Sequence, residues 1–286
     1  MILSVFGFRT LTLLFIKVYD TQLSFKCQSI FVLFSIQSDF SALLFDFSAS
    51  PAYNRQRVIE KMNWILNHKR ALLHINLAFI GGLTGVYAIL VRGGNFGAAQ
   101  TMNLIEMVLN FTEMNLTDAF LRLAIFILYG LVIIAAFLIG ERFPSVKSYI
   151  ALMIEAACVW IAGIIPSSVH PLIALFPVFI LNAYQWQTFT TPECYNSSTI
   201  FSTNNYKQTV LAWTRYHMTH DQSQKKRAWL FTGTLIFFHL GVLAGYFAVK
   251  HAGIHGIWFT FVPIITATCL VLPVGETEIL GADVGI

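Results

Sequence analysis

Residues 120–140 read FLRLAIFILYGLVIIAAFLIG, an apolar block almost free of charge. An α-helix rises 1.5 Å per residue, so these 21 residues reach about 30 Å, the thickness of the hydrocarbon core of a bilayer. Lipid offers backbone amides no hydrogen-bond partner, so a block of this kind must be helical there. Working outward, blocks of similar character cover residues 71–91, 148–165, 171–186, 228–249 and 256–272. The pattern predicts an all-α polytopic membrane bundle with six clean transmembrane helices.

Composition agrees with this reading. Of the 286 residues, 56% are hydrophobic and 11% are charged, against roughly 25% charged in a soluble domain. Such a chain cannot cover a globule with polar groups. The formal charge of +4 does not point to nucleic acid, because cytoplasmic loops of membrane proteins carry excess Lys and Arg. Cys27, Cys158, Cys194 and Cys269 are scattered without metal-ligand spacing and read as small apolar residues. No Walker loop, dinucleotide fingerprint, nucleophile elbow or zinc-protease helix occurs, which argues against a nucleotide-driven pump and a conventional hydrolase. Neither a cofactor, a metal nor an enzymatic activity is expected.

Residues 1–61 differ from the rest. Nine of the 26 Phe fall in residues 1–50, mixed with Ser, Gln and Asp in no sustained period. They read as an atypical N-terminal extension outside the fold, with Met62 as the expected natural start. The membrane domain is expected over residues 62–274, followed by a short tail, 275–286. The basic residues Arg55, Arg57, Lys61, Lys69 and Arg70 precede the first span, and the positive-inside rule places them in the cytoplasm. Threading six spans then puts Arg142, Lys147 and Lys225–Arg227 inside and residues 166–170 outside. Both termini are cytoplasmic in this arrangement. Trp64, Trp186, Trp229 and Trp258 stand near span ends, where aromatic belts form.

Two amphipathic segments lie between the clean spans. Residues 96–112 set Gln100, Asn103, Glu106, Asn110 and Glu113 along one helical face, and residues 200–216 repeat the stripe with Ser202, Asn205 and Gln208. Each is re-entrant, interfacial or a shielded full helix. The two segments also align with each other: Thr101-Met102-Asn103 falls opposite Thr203-Asn204-Asn205, and Glu106 opposite Gln208. Upstream, Gly85-Val86-Tyr87 aligns with Asn182-Ala183-Tyr184. The order of spans agrees as well, so the chain reads as two related repeats, about 71–166 and 171–273. Units of three spans would be inverted relative to each other; units of four would be parallel.

Five stretches stand out: Leu77-Ala78-Phe79-Ile80-Gly81-Gly82, Gly93-Gly94-Asn95-Phe96 and Gln100-Thr101-Met102-Asn103 in the first half, and Leu181-Asn182-Ala183 and Ser197-Ser198-Thr199-Ile200-Phe201-Ser202-Thr203-Asn204-Asn205 in the second. Together they resemble the YoaK-type bacterial transmembrane proteins, an uncharacterised family with a domain of unknown function. The chain departs from the family pattern at Met102, where Gly is usual, and at Gly85, where Asp or Asn is common. The resemblance implies a multi-pass protein of the bacterial inner membrane and brings no activity with it.

Two sets of residues are candidates for chemistry. Thr101, Asn103, Glu106, Asn182, Thr203, Asn205 and Gln208 would line a solute or ion cavity between the halves, each stripe following an irregular Gly- or Ser-containing stretch. Their other reading is an interfacial helix or polar packing between buried helices. Glu155 and His239 lie at similar depth in their spans, where charge is costly, and would form a proton- or ion-coupling pair. The alternative for them is a hydrogen bond fixing two helices. Gly81/Gly85 and Gly241/Gly245 have the spacing of close helix packing, and His217, His220 and Asp221 read as a solvated turn. The expected function is secondary transport of a small solute or ion. The alternative is a non-transporting structural or partner-binding membrane protein, and the bilayer is the expected partner, with no nucleic acid.

Overall fold

The computed structural model describes residues 52–190 and 195–271, with side chains from Lys69 onward. The expected extension before residue 52, the tail after 271, Cys27 and Cys194 lie outside the described residues. Asn67–Val271 form one compact unit, and of the second unit, residues 1–66 with 272–286, the described part is helical from Ala52.

The described residues form α1 (Ala52–Val91), α2 (Gln100–Thr112), α3 (Leu116–Arg142), α4 (Lys147–Ile164), α5 (Pro171–Ala174), α6 (Phe176–Phe189), α7 (Thr203–Thr219) and α8 (Gln222–Ala252). A 3-10 helix (Gly253–Thr260) and α9 (Phe261–Val271) complete the order. No strand occurs among the described residues. Local chemistry sets several boundaries. Asn115 caps α3 by accepting from the Asp118 amide at 3.4 Å, with Asp118 in its first turn and Arg142 in its last to complement the helix dipole. Gly253, at φ 57°, ends α8 in a conformation that L-residues rarely adopt.

Four helical stretches are long and apolar enough to cross a membrane: Lys69–Val91, Leu116–Arg142, Lys147–Ile164 and Gln222–Val271. They are compatible with a membrane protein. The expected span 171–186 is divided into α5 and α6, because Pro177 in the first turn of α6 lacks the N–H that would continue the ladder through Leu175. The expected spans 228–249 and 256–272 run on through the 3-10 helix without a loop. The amphipathic segments, expected over 96–112 and 200–216, form helices that begin later, α2 at Gln100 and α7 at Thr203, leaving irregular chain before each.

Within the unit, Lys69–Val91 of α1 is the most buried of these four apolar stretches. Gly82 meets the backbone carbonyl of Phe238 on α8, and Gly241 meets the carbonyl of Phe79, so the two backbones touch where a Cβ would collide. The expected glycine pairs thus pack helices, but the α1 partner at the crossing is Gly82, while Gly81 faces the carbonyl of Thr199 and Gly85 the ring of Phe96. The Tyr87 hydroxyl donates to the Ala162 carbonyl of α4 at 2.9 Å, and the Asn76 amide donates to the Pro263 carbonyl at 2.7 Å. Helix α6 runs antiparallel to α1. Its far end is tied to Leu77 through Gln185 at 3.1 Å, while Pro171, just before it, lies beside Gly93. Leu77, Ile80, Tyr87, Val159, Phe179 and Ile257 belong to the common apolar core. The outward faces are apolar too, with Phe120, Leu131, Phe137, Leu243 and Ile265 all exposed.

Candidate functional site

The first polar stripe closes around a residue that its own helix does not contain. Arg122, one and a half turns into α3 and 8% exposed, donates from Nη1 to Asn103 Oδ1 at 2.9 Å and from Nη2 to Asn95 Oδ1 at 3.0 Å. Glu106 Oε2 lies 3.8 Å from Nη2 and is more than a third exposed, so it adds a loose ion pair. Asn103 also donates to the Ala99 carbonyl at 3.3 Å, and Asn95 to the Arg92 carbonyl at 2.9 Å. The guanidinium thereby pins α2, α3 and the irregular Gly93–Ala99 stretch together. A planar cation with five donors suits this, because it satisfies several oxygens from one buried position.

The second stripe does the same work with different atoms. Asn205, 2% exposed, accepts from the Ser197 hydroxyl at 3.0 Å and the Ser198 amide at 3.2 Å. Its amide donates to the carbonyls of Ser198 at 2.5 Å and Phe201 at 2.9 Å, which fixes the irregular chain before α7. Arg227 of α8 donates to Gln208 at 2.8 Å and stacks on Tyr195 and Phe231 at 5.5 and 5.7 Å from their ring centres. Thr101 and Thr203 are exposed at the first turns of α2 and α7. The side-chain hydrogen bonds of Asn103 end on Ala99 and Arg122 and those of Asn205 on Ser197, Ser198 and Phe201, so neither stripe reaches the other through them.

Between the two irregular stretches stand α1 and α6. Asn182 is buried beside Gly97, with its Nδ2 free of any hydrogen bond, and Gln185 donates to Thr199 at 2.7 Å. Of two hollows in the surface, one is lined by Ala244, Phe247, Ala248, Lys250, His251 and Phe259, and the other by Ala136, Phe137, Gly140, Glu141, Lys147, Gln187 and Thr188. Neither touches a stripe.

Glu155 is in a different position. It has no exposed surface, it faces the core from α4 between Leu152 and Val159, and neither carboxylate oxygen has a hydrogen-bond partner. His239 does not meet it: its ring is exposed on α8 and its Nδ1 lies 2.8 Å from the Leu235 carbonyl of its own helix. Other buried polar atoms without hydrogen-bond partners among the described residues include both ring nitrogens of His74, the Tyr129 and Tyr184 hydroxyls, Gln185 Oε1 and Thr260 Oγ1.

Arg92, Arg122 and His74 are absent from the sequence-based candidates. Arg92, 1% exposed, donates to the carbonyls of Ile165 at 2.7 Å and Pro166 at 3.1 Å, satisfying the free end of α4. A signal existed for each, a polar side chain within or at the end of an apolar block, the same one that marks Glu155. His217 stacks on Trp213 in α7, His220 ends that helix at φ 55°, and Asp221 caps α8, so the three stand at the turn between the two helices. Among the described residues no group of three or more His, Cys, Asp or Glu is placed to hold a metal.

No curated protein and no solved structure matches the chain. A family model described as "Protein of unknown function (DUF1275)" matches residues 73–270, from within α1 to within α9, and the chain belongs to that family.

Proposed function

We propose that this chain is an integral membrane protein that carries a small solute or ion down or against a gradient, without enzymatic chemistry, and that Glu155 is its coupling group. The carrying observation is the state of the Glu155 carboxyl: fully buried in a helix apolar enough to span, with no hydrogen bond. A carboxyl that merely fixed two helices would be satisfied, as Asn103 and Asn205 are. An unsatisfied one costs stability, and such groups inside membranes mark ion and proton paths.

The contact pattern supports six crossings with two re-entrant half-helices. One end gathers Tyr149 with Val271, and Lys147 with Glu141 and Gln187. The other gathers Arg92 with Pro166, Asp118 with His170, and His255 with Gly163. On this reading α1, α3 and α4 run up, down and up, while α6, α8 and α9 run down, up and down, with α2 and α7 each entering from one side. That is an inverted repeat, and the aligned positions Glu106 and Gln208, which meet Arg122 at 3.8 Å and Arg227 at 2.8 Å, are in keeping with a repeat. Lys69, Arg70, Arg142, Lys147, Lys225 and Lys226 fall at one end, which the positive-inside rule assigns to the cytoplasm of a bacterial inner membrane. The YoaK-type likeness is in keeping with this and adds no substrate.

One observation favours the alternative, a non-transporting protein: each stripe is closed within its own half, and the α1 and α8 backbones touch. Reconstitution into liposomes with a trapped pH-sensitive dye and a solute screen separates the two. The transport reading predicts a solute-dependent pH change that Glu155→Gln abolishes while the variant keeps its helical circular dichroism. A flux that survives Glu155→Gln contradicts the coupling role, and the absence of any flux favours the structural alternative.

A further inference from the structure

The groove at the end of α8 combines two chemistries. It encloses about 360 Å³, and its residues are ordered by depth along the helix. Lys250 and His251 occupy the last turn, Phe247 and Ala248 the turn before, and Ala244 lies about 9 Å further in at 1.5 Å per residue. Phe259, from the 3-10 helix, lines the same groove. Lys250 and His251 are exposed, the ammonium resting 5.7 Å from the Tyr246 ring centre. On the 3-10 helix that follows α8, Trp258 and His255 pack with ring centres 4.6 Å apart, and an indole at a helix end is characteristic of headgroup depth.

A lysine ammonium and an imidazole at headgroup depth above apolar walls match the polarity of one lipid with a net negative headgroup. We propose that this groove is a binding site for an anionic phospholipid. Its phosphodiester meets Lys250 and His251, and the upper part of an acyl chain lies along Phe247, Ala244 and Phe259. Helix-dipole compensation alone would explain basic residues in the last turn, but not an apolar groove leading away from them. The inference rests on membrane embedding and is independent of transport.

Native mass spectrometry of the detergent-purified protein, titrated with phosphatidylglycerol or phosphatidylcholine of the same chains, tests it. The first phosphatidylglycerol is expected to bind about fivefold tighter, the scale of one basic side chain acting on an anionic lipid. Lys250→Glu with His251→Gln should remove that preference, while Lys225→Glu with Lys226→Glu, at the opposite end of α8, should leave it. Ala244→Trp should weaken both lipids by filling the groove. Equal affinities, a preference that survives the Lys250/His251 double variant, or displacement of the lipid by millimolar inorganic phosphate would each overturn the proposal. Equal lipid affinities would leave the transport reading untouched, and absent flux would leave the lipid result standing.

Discussion

Arg122 places a guanidinium among apolar helices and gives both amino groups to the side-chain oxygens of Asn103 and Asn95. Arg122→Leu removes the cation and strands both oxygens, so it should lower stability by about 3 kcal/mol, read as thermal unfolding in detergent. Glu106→Gln, which alters only the 3.8 Å contact, should change it by less than about 0.5 kcal/mol. At Asp221 the Ser223 hydroxyl and then the Ser223 amide donate to the carboxylate and hold its pKa below the ordinary value. A lowered folded-state pKa means this stabilisation is complete above the unfolded Asp value and fades as pH falls through the folded one. The melting difference between the native chain and Asp221→Asn should therefore be present at neutral pH and shrink in strong acid; a difference constant with pH would contradict it. At this scale the sequence exposes Glu155, a charge within an apolar block. It does not expose how Arg122 is used, because its partners lie 19 and 27 positions away and no local period links them.

The helices themselves are largely legible, since apolar blocks of spanning length have one conformation open to them in lipid. Their ends and partners are less so. The division of the fourth block at Leu175 follows from Pro177, but the apolar pattern does not distinguish a 3-10 helix between α8 and α9 from a loop. The glycine spacing signals close packing, yet only the fold shows that Gly82, outside the expected pair, makes the crossing. Two substitutions test that contact. Gly241→Ala drives a methyl into the Phe79 backbone and should cost about 2 kcal/mol, because backbone cannot swing aside as a side chain can. Gly130→Ala, with nothing within 4 Å, should be neutral or stabilise α3 by about 0.5 kcal/mol. Similar losses at both sites in a thermal melt would contradict the crossing.

Across the whole molecule, the matched polar stripes are the sequence signal for the proposed repeat, and whether its halves would be inverted or parallel turns on whether α2 and α7 cross. Their 13 and 17 residues and their exposed polar first turns leave that question to contacts between distant helices. In the inverted account, the α3–α4 and α7–α8 turns share one side of the membrane and the α4–α5 turn faces the other. In a parallel eight-span arrangement, the α3–α4 and α7–α8 turns lie on opposite sides. Single cysteines placed in a cysteine-free chain at Ser145, Ser168 and Ser223, and labelled in intact cells with a membrane-impermeant maleimide, decide between them. The account predicts that only the Ser168→Cys variant reacts before permeabilisation; labelling that separates Ser145→Cys from Ser223→Cys would contradict it.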